Sequence, residues 1–449
     1  MPTPSGSGTT DPTPTRPAAD ASRPEPAAEG AGGGVAPEPR PGGAGYPAVF
    51  AVREFRAVFL AHVLSMLGEV VCGIALSVLV FQVTGSPLLS ALAFAFALLP
   101  YVIGGTLLSA VADRYPARRV LVVCDLISAV CVAAMVVPGM PVGWLLVLRC
   151  VAAAISPVFT GTRAATLGDI LGEGDLFVLG RSVIRLSAQG AQLVGFAAGG
   201  ALLTAVSPRA VLAITAASFV GSALVLRLGT RRRPARTDGR RGALLGDSLR
   251  GMRQLFAVPR IRALFLLNWV PPTFVVMSEA LMTPYSDGLG LGSTGLGLLM
   301  CGMPVGAIVS ETLAGTLLGP AGRARLTLVV AVACTLPSLG YVFEPSFGWA
   351  LALQVATGCG MAYSLGLDQW FMAAVPEELR GRAMTLLGAG LMTAQGLGMA
   401  VAGAVAELAP VHLVVTGAGV CGTVCSLLAV ALVRRRTARP HVTGGAGGG

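Results

Sequence analysis

Arginine is sorted by loop parity along this chain, and that sorting constrains the fold more than any other feature of the sequence. All 32 basic residues are Arg, and there is no Lys. Apart from Arg16, Arg23 and Arg40 near the N-terminus, 27 of the remaining 29 lie at or near alternate ends of long apolar segments. Arg149 and Arg209 are the two exceptions. An excess of Lys and Arg marks the cytoplasmic loops of membrane proteins, whereas a soluble protein has no reason to sort charge in this way. The chain therefore reads as a multi-pass protein of a bacterial-type inner membrane with both termini cytoplasmic.

Composition narrows the function classes. With 54% hydrophobic and 12% charged residues and a mean hydropathy of +0.75, the chain is far from an average soluble domain. The net charge of +10 sits in short loops between apolar spans, not on one polar helix face interleaved with aromatics, which excludes nucleic acid as a partner. All nine Cys lie inside apolar segments without CxxC spacing, so they read as small packing residues and not as metal ligands. A phosphate-binding Gly-x-x-x-x-Gly-Lys loop needs a Lys the chain lacks, which excludes a nucleotide-driven pump. No nucleophile elbow accompanies His62, His412 or His441, so no enzyme, cofactor or metal site is expected.

A bilayer core takes about 20 helical residues. By that ruler an all-α protein of twelve spans is expected, near 56–82, 88–111, 119–138, 142–161, 183–205, 209–228, 262–285, 294–318, 324–343, 347–370, 382–406 and 411–433. Residues 1–52 are rich in Pro, Gly, Ala and Thr and read as a disordered tail, as do residues 436–449; no signal peptide is expected. The loop at 229–261 carries a run of Arg from Arg231 to Arg260 and divides the chain into six-span halves, 53–228 and 262–435. Inside it Leu245, Leu249, Met252 and Phe256 recur at helical spacing between Arg250 and Arg253, as in a surface-lying amphipathic helix. Arg118-Arg119-Val120-Leu121 and Arg323-Ala324-Arg325-Leu326 begin spans three and nine in parallel, a trace of duplication. Such repeats place substrate at the midplane between halves that rock.

The stretch Ala112-Asp113-Arg114-Tyr115-Pro116-Ala117-Arg118-Arg119 between spans two and three resembles the signature loop of the major facilitator superfamily. Ser109 and Pro116 replace two of its glycines. Val375 to Arg382 resembles the loop these proteins carry between spans ten and eleven, and Leu145 to Ala153, around Arg149, resembles the basic element of span four. Gly195-Phe196-Ala197-Ala198-Gly199-Gly200 resembles an antiporter element of span five, with Phe196 in place of its Pro. Leu64-Ser65 to Gly68-Glu69 is similar to the drug/proton antiporter branch that holds macrolide and enterobactin exporters. The resemblance implies the major facilitator fold and proton-driven export of a hydrophobic or amphipathic small molecule, a drug, antibiotic or secondary metabolite. Asp113, with Arg114, Arg118 and Arg119, would form a gating latch. The partners implied are that substrate, protons and the lipid bilayer, with the chain acting as a monomer. Import of a small polar solute, and a non-transporting sensor or lipid-moving protein on the same fold, are the rival readings.

Charge at membrane depth is costly and marks candidate chemistry. Glu69 in span one and Arg149 in span four fall at matching depth and can pair, so proton coupling is expected there. Glu279 in span seven is a second candidate, beside Pro271-Pro272 and Pro284, which point to a broken helix. Trp269 lies deep enough to touch substrate. Asp125 and Glu311 read instead as structural partners of the loop arginines, Asp368 lies near the end of span ten, and His62 reads as a satisfied interfacial residue.

Overall fold

The structure is a computed structural model and describes residues 46–101, 104, 115–172, 175–233, 253 and 255–437. Within them all regular secondary structure is helical. Ten helical segments are long and apolar enough to cross a membrane. Span one is Arg53–Thr84, span four Val142–Leu171, span five Asp175–Ala205 and span six Pro208–Gly229. Span seven is Pro259–Ala280 continued by Met282–Gly288, span eight Gly292–Leu317, span eleven Arg380–Ala406 and span twelve Val411–Thr437. Span nine joins Pro320–Ala333 to a 3-10 turn at Leu336–Phe343, and span ten joins Phe347–Cys359 to Tyr363–Ala374. The two other expected spans correspond to shorter helices. For span two the described helix is Pro87–Leu98, and for span three it is Ala117–Met135, where Arg118, Arg119 and Asp125 dilute the apolar run.

Local chemistry sets the helix ends. Thr84 is followed by Gly85 at φ 65°, a left-handed residue that releases the chain from span one. Ser86 then caps span two, its hydroxyl accepting from Leu89 N at 3.1 Å with Pro87 at the first helical position. Ser207 and Pro208 repeat the device at span six. Span seven is broken as expected, but not at Pro271-Pro272: it runs helical through both, and the interruption falls at Leu281. Pro284 lies three residues on and can donate no hydrogen bond to Ala280 four residues before it, so the helix yields there instead.

Helix pairing repeats with a shift of six. Span one lies against spans five and six, and span seven against eleven and twelve. Span three lies against four and six, as nine does against ten and twelve. The first six spans meet the last six through two equivalent pairs, two with eleven and five with eight.

The two ends of the bundle differ. Glycines close the Arg-poor end: a Cβ on Gly200 would stand 2.7 Å from Gly297 Cα, and one on Gly403 2.9 Å from Leu88 Cα, so both crossings bring backbones together. One continuous apolar core runs through both groups of spans there, including Val71 to Val80, Phe196, Val276 to Met282 and Met399. Toward the basic end the described core divides. One branch, with Phe55, Leu121, Leu167 and Leu226, belongs to the first six spans; the other, with Phe265, Leu367, Phe371 and Val433, belongs to the last six.

Of the amphipathic helix expected in the long loop, Leu245, Leu249 and Met252 lie outside the described residues. So do residues 1–45, Asp113, Arg114 and residues 438–449. Phe256 is described, and its ring stacks on Phe265 at 5.2 Å, against the branch of core in the last six spans.

Candidate functional site

Span one reaches the fork in the core between Ala61, in one lower branch, and Val71, in the joined part. Glu69 lies at that level. Its Oε1 is 2.8 Å from an Nη of Arg149 on span four; the Arg149 side chain is 3% exposed and that of Glu69 31%. The guanidinium also donates toward Ala93 O of span two at 3.4 Å and lies against Cys72 one turn along span one. Gly73 lets the Phe94 ring pack close beside it, because a Cβ there would stand 3.3 Å from that ring. A buried guanidinium needs a counter-ion and filled donor positions, and Glu69 supplies the charge. The carboxylate keeps one side open and can exchange a proton, whereas the guanidinium cannot.

Above the pair, Ser77 of span one stands 2.7 Å from Ser90 of span two and 2.8 Å from Thr283 of span seven. This hydroxyl chain bridges the two groups of spans next to the fork. Glu279, one turn before Thr283, is partly buried and makes no hydrogen bond or ion pair among the described residues. Glu311 of span eight accepts from Gln189 Nε2 of span five at 3.3 Å, a second polar bridge.

The remaining expected site residues fall into three groups. Gly195, Gly199 and Gly200 face neighbouring helices. The first two lie against Val70, Val71 and Ile74 of span one, and the third against Gly297 and Ser293 of span eight. They allow close packing and line no open space. Trp269 lies in the branch of core below the fork, its indole N–H donating to Leu387 O at 2.9 Å and its ring 5.1 Å from that of Phe265. In this conformation it is a packing residue of the last six spans. Arg118 donates to Thr230 O at 3.2 Å, tying the start of span three to the end of span six, and Arg119 is exposed. Arg323, where the sequence parallel predicts an equivalent, donates to Leu318 O at 2.9 Å and Gly315 O at 3.0 Å and so caps span eight.

Sequence reasoning missed the surroundings of Asp125 and His62. Asp125 is 2% exposed. Among the described residues it accepts from Ser222 Oγ at 2.5 Å and Ser65 Oγ at 3.3 Å, and from none of the loop arginines. His62 is 1% exposed and accepts at Nδ1 from Arg163 of span four. The alignment of His62, Ser65, Glu69 and Cys72 at helical spacing was the available signal. All four fall within about 80° of one helix face. The nine cysteines are free, and no cluster of metal ligands occurs among the described residues.

A bundle with this pairing, closed at one end and forked at the other around a buried ion pair, defines a multi-pass transporter-type membrane protein. The profile of the Major Facilitator Superfamily matches residues 58–368 and 280–448, and the chain belongs to that family. A curated relative, the multidrug efflux pump Tap of Mycolicibacterium fortuitum, is 24% identical over 373 residues, covering 80% of this chain and 90% of that one. Among solved structures, the nucleoside transporter NupG superposes with a TM-score of 0.64 at 14% identity over 85% of this chain and 99% of that one. A bacterial homologue of the human lysosomal transporter Spinster, inward-facing and unoccupied, gives 0.58 at 18% over 85% and 94%. A proton-dependent oligopeptide transporter gives 0.60 at 13% over 85% and 100%. At these identities the structural likeness establishes the fold alone.

Proposed function

We propose that this chain is a proton-coupled exporter of hydrophobic or amphipathic small molecules, with the Glu69–Arg149 pair as its coupling site. The observation that carries the reading is the position of the pair, where the divided core joins, with the carboxylate partly exposed and the guanidinium buried. A divided lower core and a joined upper core describe a site reached from the basic end and closed from the other. Read by the positive-inside rule the basic end is cytoplasmic, which supports both termini inside the cell and a site open to cytoplasmic substrate. The Tap relative, described as a multidrug efflux pump, supports export as the direction.

In the mechanism, the ionised Glu69 pairs with Arg149 and leaves the lower cleft ready for substrate. After the halves rock and the Arg-poor end opens, a proton from outside neutralises Glu69, which weakens its hold on Arg149 and favours the return. A ligand shifts such an equilibrium only by its differential affinity for the two states, and the ion pair is the element on which proton and substrate compete. Asp113 and Arg114 would latch the basic end when the site faces outward.

The test is accumulation of ethidium by everted membrane vesicles acidified inside. Wild-type vesicles should accumulate the probe and release protons as they do so, and Glu69→Gln at equal membrane abundance should abolish both. Undiminished gradient-driven accumulation by Glu69→Gln would remove the pair as the coupling site.

A further inference from the structure

The first six spans contain a second carboxyl whose surroundings are built for proton exchange. Asp125 on span three lies among four helices and has no cation at ion-pair distance among the described residues. Its partners are hydroxyls, Ser65 of span one on Oδ1 and Ser222 of span six on Oδ2. Ser222 is the informative one. Its Oγ stands 2.5 Å from Asp125 Oδ2 and also 3.0 Å from Ala61 O on span one. A serine hydroxyl has one proton, so it can donate to the carbonyl or to the carboxylate, but not to both.

Two arrangements satisfy the contacts. With Asp125 ionised, Ser222 donates to Oδ2 and Ala61 O loses its hydroxyl partner. With Asp125 protonated, its own O–H donates to Ser222 Oγ, and the Ser222 proton turns to Ala61 O. The second arrangement fills every position, and it ties span six to span one through a carbonyl that the first leaves free. The proton gained on Oδ2 is thus matched by one rotated hydroxyl, with no other bond made or broken.

The position of the carboxyl makes this exchange relevant to transport. Ser65 precedes Glu69 by one turn, and His62 precedes it by two, on the same face of span one, so polar groups descend about 10 Å from the ion pair toward the basic end. Around them stand Glu69 and His62 on span one, Cys124 beside Asp125 on span three, Arg163 on span four, Tyr101 just beyond the described helix of span two, and Ser222 on span six. Arg163 donates to His62 Nδ1, so the imidazole proton sits on Nε2, buried against the backbone of Ile184 of span five.

We infer that Asp125 is a second proton-binding carboxyl, and that Ser65 and Asp125 lie on an internal route by which the proton on Glu69 leaves toward the basic end. The route depends on the proposed coupling at Glu69; the protonation of Asp125 does not, and the two are tested separately.

Infrared difference spectra of the purified full-length protein in lipid nanodiscs, recorded on stepping the pH, report each carboxyl directly. A carboxylic C=O band should appear on acidification of the wild type, persist in Glu69→Gln and vanish in Asp125→Asn. Ser222→Ala keeps the carboxyl and removes its hydroxyl partner, so it should shift that band and identifies it even should Asp125→Asn fold poorly. Spectra of Asp125→Asn superimposable on the wild type, or an unshifted band in Ser222→Ala, overturn the assignment. For the route, gradient-driven ethidium accumulation by Asp125→Asn should slow by about a hundredfold with Glu69 intact. An unchanged rate would leave Asp125 a bystander.

Discussion

The first six spans and the last six share one scheme of helix pairing, yet they fill their interiors with different chemistry. Inside the first lie Glu69, Arg149, Asp125, His62 and Arg163, linked by an ion pair and by hydroxyl and imidazole hydrogen bonds. Toward the basic end the last six pack Phe256, Phe265, Trp269 and Phe371 5.1 to 6.3 Å apart, a larger counterpart of the Phe50, Phe55 and Phe59 cluster of the first six. Deeper in they place Glu279, whose carboxyl has no partner among the described residues. The pairing geometry is shared because it depends on small residues at crossings, which leaves the interior side chains of each set to differ. In the proposed mechanism the first set of spans holds the protons, and the last six contribute the larger aromatic packing.

The difference is broken most strongly by Arg149→Met. Removing one partner of a buried pair costs about 3 kcal/mol or more, because the carboxylate left behind has no counter-charge. The variant should lose efflux and melt at lower temperature. Adding Glu69→Gln should recover the melting temperature but not transport, which thermal unfolding and vesicle accumulation measured side by side will show. Recovery of both would make the pair a packing device.

On the other side of the comparison, Trp269→Ala should cost about 3 kcal/mol of stability by opening a void beside Gly390 and Phe265 and freeing Leu387 O. Its effect on the pH dependence of efflux should be nil. A changed pH profile would show that the aromatic interior takes part in coupling, and would erase the division of labour.

The smallest effect is expected where the two groups touch at the Arg-poor end. Glu407, just beyond span eleven, accepts from Ser86 Oγ and from Leu88 N at 3.0 Å at the start of span two. The Ser86 hydroxyl, and then the Leu88 amide, hold its carboxyl below the ordinary value of 4.5. A group depressed on folding stabilises above its unfolded pKa and loses that contribution as pH falls through the folded one. The contact is therefore complete at neutral pH and weakens only below about 4.5. Glu407→Gln should speed opening of this end slightly at pH 7, read as faster labelling of a cysteine introduced at Thr84, and the difference should shrink in acid. A large effect would mean that one exposed contact holds the end shut, and not the glycine crossings.

Much of this was legible beforehand. The spans, the membrane class and the depth match of Glu69 with Arg149 follow from hydropathy and charge along one chain, since a bilayer dictates segment length and charge placement locally. Of the three prolines read as breaking span seven, Pro284 does so and Pro271-Pro272 do not, because two prolines can be absorbed inside a helix when neighbours restrain it. Depth alone offered Trp269 as a residue that could touch substrate; its packing on Phe265 and its bond to Leu387 O were not legible, because depth does not say which way a helix face turns. Asp125 looked like a partner for loop arginines because sequence distance to Arg118 and Arg119 is short, whereas its real neighbours, Ser65 and Ser222, lie 60 and 97 residues away.

The sequence by itself determined that this chain is a many-span membrane protein, which ends carry the charge, and which costly charges sit at depth. Each of those is a property of a segment or of its distance from a membrane surface. The tertiary structure alone decided which charges meet, where the core joins and where it divides, and which glycines touch. Those depend on the rotation and crossing of helices far apart in the chain, set by packing that no single segment contains.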